Sequence, residues 1–228
     1  MIDLFEFAVI NGFSKIVRVL MQVVDPSANN NAAIKMAAYH GKLKIMRVLL
    51  ADPRVDPCAD GNYPLRIAVI HGYDEIVDIL LAAGVNPATN NNFAIRSASA
   101  NGYPKIVLML LADPRIDPTA DDNFSLKQAL IFQHLPIVSL LLSDTRINLS
   151  ACNHLVKDSS IRKNTAAVAL LLAKLRGHAT IWDYVSIIKK SLSRNITMLW
   201  ECHLVRRHWI ISHVVSKYLI ADLFEKLL

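Results

Sequence analysis

Val24-Asp25-Pro26-Ser27-Ala28 returns as Val55-Asp56-Pro57-Cys58-Ala59, as Val85-Asn86-Pro87-Ala88, as Ile116-Asp117-Pro118-Thr119-Ala120 and, eroded, as Ile147-Asn148-Leu149-Ser150-Ala151. From Pro26 through Pro57, Pro87 and Pro118 to Leu149 the steps are 31, 30, 31 and 31 residues. Self-similarity at a fixed period of this size marks an array of stacked units. The one short step has a local cause. Ala51-Asp52-Pro53-Arg54 joins Leu50 to Val55, whereas only Ala82-Ala83-Gly84 joins Leu81 to Val85.

Each Asp-Pro or Asn-Pro finger is followed by a polar tip: Asn29-Asn30-Asn31, Asp60-Gly61-Asn62, Asn90-Asn91-Asn92 or Asp121-Asp122-Asn123. Asn and Asp tolerate left-handed turns and can cap a following helix. A short first helix comes next, with Ala37, Ala68, Ala98 and Ala129 small enough for neighbouring helices to approach closely. Gly41, Gly72 and Gly102 then supply a positive-φ stop. The second helix has apolar residues at three- and four-residue spacing: Ile45, Val48, Leu49; Ile76, Ile79, Leu80; Ile106, Met109, Leu110; Ile137, Leu140, Leu141. One such hairpin cannot bury its apolar faces alone, whereas stacked neighbours can.

This layout resembles the ankyrin repeat, in which a finger precedes a Thr-Pro-Leu-His-x-Ala-like first helix, a glycine and an Ile-Val-x-x-Leu-Leu second helix. Tyr63-Pro64-Leu65-Arg66-Ile67-Ala68 fits the first helix and Ile76-Val77-Asp78-Ile79-Leu80-Leu81 the second. The likeness covers roughly residues 3–173, and the Asp-Pro-Arg-Val-Asp-Pro finger resembles arrays of protists, lower fungi and giant viruses. It implies an all-α solenoid of about six helix-turn-helix units: 1–23, 24–54, 55–84, 85–115, 116–146 and 147–177. The first unit, lacking a finger, reads as an N-terminal cap, and His154–Ser160 with Thr165–Leu172 as a last, weaker helix pair.

Departures from the pattern are informative. The threonine place is taken by Ala32, Tyr63, Phe93 or Phe124, and the histidine place by Lys35, Arg66, Arg96 or Lys127. The hydrogen bonds attributed to the family's Thr and His must therefore be rebuilt. Gln133 replaces the interhelical glycine, at about 1 kcal/mol if it must be left-handed.

Composition limits the remaining choices. The 228 residues are 53% apolar and 19% charged with 7 Gly, which excludes disordered and collagen-like chains. The longest uncharged stretch, Gln128–Ser143, has 16 residues and contains Gln, His and Pro, too short and polar for a membrane span. The acidic start, Met1-Ile2-Asp3-Leu4-Phe5-Glu6, is unlike a signal peptide. Cys58, Cys152 and Cys202 lie far apart, as in a reducing compartment. A cytoplasmic location, in the protein's own cell or a host's, is the expectation.

From about residue 178 the repeat is gone. Trp182, Trp200 and Trp209 all lie in 178–228, and residues 164–228 carry 9 Lys/Arg against 4 Asp/Glu. Residues 181–192 and 197–227 have helical apolar spacing, and the region reads as a helical cap or docking region covering the open edge of the array. No F-box or SOCS-box pattern is found in it.

Chemistry-bearing constellations are lacking. Cys202, His203, His208 and His213 have spacings that scatter them around a helix, against metal binding. No phosphate loop, nucleophile elbow or His-Glu-x-x-His motif occurs, so no catalytic residue, cofactor or metal is expected. The row Lys35, Arg66, Arg96 and Lys127 reads as bonding finger carbonyls or tip acids rather than phosphates, which argues against nucleic acid as the partner.

The expected function is non-catalytic binding of an unknown partner protein by the concave face. The resemblance implies contacts from finger tips and first-helix ends: Asn29, Asn31, Tyr39 and His40; Asp60, Asn62, Ile70 and His71; Asn90, Asn92 and Asn101; Asp121, Asn123, Ile131 and Phe132. Ile70, Ile131 and Phe132 are apolar where solubility alone favours polar residues, so they read as anchors. The alternatives are a structural protein self-associating through its C-terminal region and, last, a nucleic-acid binder using the basic tail. The chain is expected to be a monomer or a tail-mediated homo-oligomer.

Overall fold

A computed structural model describes residues 3–148 and Leu155. The expected units 147–177 and 178–228, apart from Ile147, Asn148 and Leu155, lie outside these residues, as does the Cys202/His203/His208/His213 group. Ten helices and no strand occur among the described residues: α1 (Leu4–Asn11), α2 (Ser14–Leu20), α3 (Ala28–Tyr39), α4 (Leu43–Leu50), α5 (Ala59–His71), α6 (Asp74–Ala82), α7 (Thr89–Asn101), α8 (Pro104–Leu111), α9 (Ala120–Ile131) and α10 (Leu135–Ser143). They form five hairpins. First helices pack in the order α1, α3, α5, α7, α9, and second helices in the parallel order α2, α4, α6, α8, α10. None is long and apolar enough to cross a membrane.

The tips explain why each finger carries three Asn, Asp or Gly residues. Residues 29–31, 60–62, 90–92 and 121–123 are all left-handed, with φ between 54° and 63°, so every tip is one left-handed turn ahead of a right-handed helix. Only residues with little αL penalty can fill three such places in a row. The right-handed helix then begins, and Pro64 fits because the first turn needs no amide donor.

Each first helix ends in one shared motif. The amides of Phe13, Lys42, Tyr73, Tyr103 and His134 donate to the carbonyls of Ala8, Ala37, Ala68, Ala98 and Ala129 at 2.8–3.0 Å, the six-to-one bond of a Schellman end. The residue before each donor is left-handed, and Gln133 is no exception at φ 62°. The expected strain at Gln133 is thus present.

Between units the core is continuous. Ala37, Ala68, Ala98 and Ala129 have no exposed surface, and the second-helix pairs Ile45/Leu49, Ile76/Leu80, Ile106/Leu110 and Ile137/Leu141 are 0–2% exposed. The ring of Tyr73 lies where a Cβ on Gly41 would stand, 2.8 Å from Tyr73 Cζ; Tyr103 sits likewise over Gly72, and His134 over Gly102. These three bends are thereby roofed by the next unit.

A second device joins units that have the longer link. Arg54 grips Asp52 through Nε and Nη2 and donates from Nη2 to the Met21 carbonyl at 3.0 Å. Arg115 repeats this with Asp113 and the Val85 carbonyl, and Arg146 with Asp144 and the Ile116 carbonyl. The unit linked by Ala82-Ala83-Gly84 lacks this clasp and turns on Gly84 instead.

Candidate functional site

The finger and the end of the first helix frame one surface. Its base is made by the Asp-Pro residues. Asp25, Asp56, Asn86 and Asp117 each accept, through Oδ1, the amide two residues on at 2.8–3.0 Å. These Asx turns set the direction in which each tip leaves the stack.

At the tips the structure separates residues that look alike in sequence. Asn29, Asp60, Asn90 and Asp121 are exposed, as expected of contact residues. Asn31, Asn62, Asn92 and Asn123 are not available in the way expected, because they turn towards the stack. Asn31 Oδ1 accepts the Asp56 amide and Asn92 Oδ1 the Asp117 amide, both at 2.8 Å, so these side chains link successive fingers instead of capping their own helices. Asn62, 4% exposed, donates from Nδ2 to the Asn86 carbonyl and Thr89 Oγ1, each at 2.9 Å. Asn123 is 6% exposed.

The ends of the first helices carry the apolar part. Tyr39 is 51%, Ile70 39% and Phe132 55% exposed. Ile131 departs from the anchor reading, because it is partly buried and packs on the core. His40, His71 and Asn101 are exposed beside this row. The Tyr39 ring stands edge-on to His40 and His71 at 5.1 and 5.6 Å, and His71 stacks on Tyr73 at 5.5 Å. The next unit holds two of the bends: Tyr103 Oη donates to the Ile70 carbonyl at 3.4 Å, and His134 Nε2 is 3.2 Å from the Ala100 carbonyl. A shallow groove between α3 and α5 is lined by Ala32, Lys35, Met36, Tyr39, Asp60 and Tyr63.

The basic row is partly engaged locally. Arg66 donates to the Asp60 carbonyl at 3.3 Å, and Arg96 to the Asn90 carbonyl at 3.4 Å and to Asp121 Oδ2 at 2.7 Å. Arg96 also lies over the Phe124 ring, 5.3 Å from its centroid. The carbonyl bonds tie each first helix to its own tip, and the Arg96–Asp121 bond ties it to the next, at the place where the family pattern has histidine.

A profile described as ankyrin repeats (3 copies) matches residues 5–91 and 34–122. The chain belongs to the ankyrin repeat family. Ankyrin repeats are generally protein–protein interaction modules, and their fold is typically non-catalytic. Among solved structures, the human ASB11 ankyrin repeat domain is 19% identical with a TM-score of 0.61, covering 78% of this chain and 85% of that one. No curated protein matches the chain.

Sequence reasoning missed two groups of residues. The Asp52/Arg54, Asp113/Arg115 and Asp144/Arg146 clasps carried a signal, since Asp-x-Arg recurs one step before three of the fingers. Leu4, Phe7, Phe13, Ile16, Val19 and Val23, 45–81% exposed on the first ankyrin unit, read in sequence only as part of a cap.

Proposed function

We propose that this chain is a non-catalytic recognition module that binds a partner protein through the concave face of its ankyrin array. The contacts are Asn29, Asp60, Asn90 and Asp121 at the tips and Tyr39, His40, Ile70, His71, Asn101 and Phe132 at the bends. The observation that carries this reading is the exposure of Tyr39, Ile70 and Phe132, at 51%, 39% and 55%, at the ends of three first helices. Aromatic side chains held by their neighbours are where binding energy concentrates, because little rotamer freedom is lost on docking.

The charges support a protein over a polyanion. Arg96 is paired with Asp121, and exposed Asp60 lies beside Arg66, so the surface mixes signs. The test is an affinity pull-down with mass spectrometry using wild type and Phe132→Asp. The expected result is a partner retained by wild type and lost from the variant, with an unchanged urea midpoint because Phe132 is already exposed. The same proteins retained by both forms would remove Phe132 from the contact surface.

A further inference from the structure

We propose that the groove between α2 and α4, on the side of the stack made by the second helices, docks an acidic, apolar-faced helix of a partner protein. This is independent of the partner-binding surface above, which lies at the tips and at the ends of the first helices.

The groove, of about 800 Å³, is lined by Met21, Val48 and Pro53 together with Arg18, Lys44 and Arg47. Met21 is buried and Val48 partly buried, while the three bases are exposed, so apolar surface lies at the bottom and charge at the rim. None of the three bases has a hydrogen bond or ion pair among the described residues. The one acid of the lining, Asp52, is already committed, because Arg54 holds its two carboxylate oxygens through Nε and Nη2 at 3.0 and 2.7 Å. Three positive charges therefore stand around an apolar floor without a counter-charge.

The repeat register shows that these bases belong to an outward face of the stack. Arg18 and Arg47 stand six residues after Gly12 and Gly41, and their counterparts Asp78 and Leu108, which have a unit on either side, are exposed as well. What changes along the stack is the charge. The places of Lys44 and Arg47 are taken by Glu75 and Asp78 in α6, by Lys105 and Leu108 in α8, and by Pro136 and Ser139 in α10. Among the described grooves, only this one has bases on both walls and no acid opposite them. Arg18 and Arg47 lie in last turns, where the helix dipole favours a base, but Lys44 lies in a first turn, where it does not.

The charges call for an acidic occupant. The C-terminal region of the chain does not supply one, since residues 164–228 carry 9 Lys/Arg against 4 Asp/Glu. Lys44 and Arg47 are three residues apart on α4, so acids at helical spacing on a docked helix meet both. Apolar side chains on the same helix then fill the space over Met21 and Val48. No aromatic ring lines the groove, so the bases of a single-stranded nucleic acid have nothing to stack on.

The test is fluorescence anisotropy of the full-length chain with a labelled helical peptide of Glu, Leu and Ala, about 15 residues long. Its Gln-for-Glu counterpart and a single-stranded oligothymidylate are measured beside it. The expected result is saturable binding of the acidic peptide, weakened by added salt. Arg47→Glu and, separately, Arg18→Glu each raise its dissociation constant at least about tenfold. Lys15→Glu makes the same charge change at an exposed base of α2 outside the groove and shifts the constant less than about twofold. Phe132→Asp binds the peptide like wild type. Arg18 and Arg47 are exposed and make no bond among the described residues, so their variants keep the helical circular dichroism and urea midpoint of wild type. No binding at about 200 µM protein would overturn the proposal. So would equal capture of the Gln peptide, equal weakening by Lys15→Glu, or tighter binding of the oligothymidylate, which would make nucleic acid the occupant.

Discussion

Backbone handedness decides what single residues do in this chain. Gly61 sits at φ +62° in open space, with nothing within 4 Å of the place a Cβ would take, whereas a Cβ on Gly72 would stand 2.7 Å from Tyr103 Cε1. The two glycines therefore separate two costs. Gly61→Ala exposes only the left-handed penalty and is expected to lower stability by about 1 kcal/mol. Gly72→Ala adds a collision with a roofing ring and is expected to cost about 2–4 kcal/mol. Urea unfolding of both variants checks the order, and equal losses would mean the Tyr103 ring moves freely aside. Gln133, at φ 62°, already carries the first of these costs in the native sequence.

Elements are joined by two kinds of bond, and one is pH-sensitive. Asn31 and Asn92 bridge fingers with neutral groups. The link clasps use carboxylates. The Arg54 side chain, and then its backbone N–H, hold Asp52 well below the ordinary 3.8, at about 2. Arg115 and Arg146 depress Asp113 and Asp144 in the same direction. A carboxylate with a lowered folded pKa binds fewer protons folded than unfolded. Its contribution is therefore full above about pH 4 and is lost as pH falls towards 2. Asp52→Asn is expected to lower the urea midpoint at pH 6, with the gap to wild type closing towards pH 2. A gap that stays constant would show that the clasp acts through shape and neutral hydrogen bonds alone.

The described molecule is a one-dimensional stack, in which each unit depends on its neighbours. Position along the stack therefore sets the cost of one chemical change. Ile76 is 2% exposed between units, and Ile76→Ala is expected to cost about 2–5 kcal/mol. Ile16, its counterpart in the first hairpin, is 45% exposed, and Ile16→Ala is expected to cost about 1 kcal/mol. Equilibrium unfolding of the two variants at the same low concentration measures the difference. Equal costs would mean that the first hairpin is covered.

The period, the hairpins and the glycine bends were legible because each rests on chemistry within a few residues. Asp-Pro makes its Asx turn locally, three Asn/Asp/Gly residues make their left-handed turn locally, and apolar spacing within a helix states which face needs cover. The contact surface was legible only in outline. Asn29 and Asn31 are the same residue type two places apart, yet one is exposed and the other bonds the next finger. Ile70 and Ile131 hold the same repeat position, yet one is open and the other packs on the core. Turn and helix propensities belong to a residue and its chain neighbours, and the sequence determines them alone. Burial belongs to whatever stands opposite, so only the stacking of units could decide which polar tips face solvent and which turn inward.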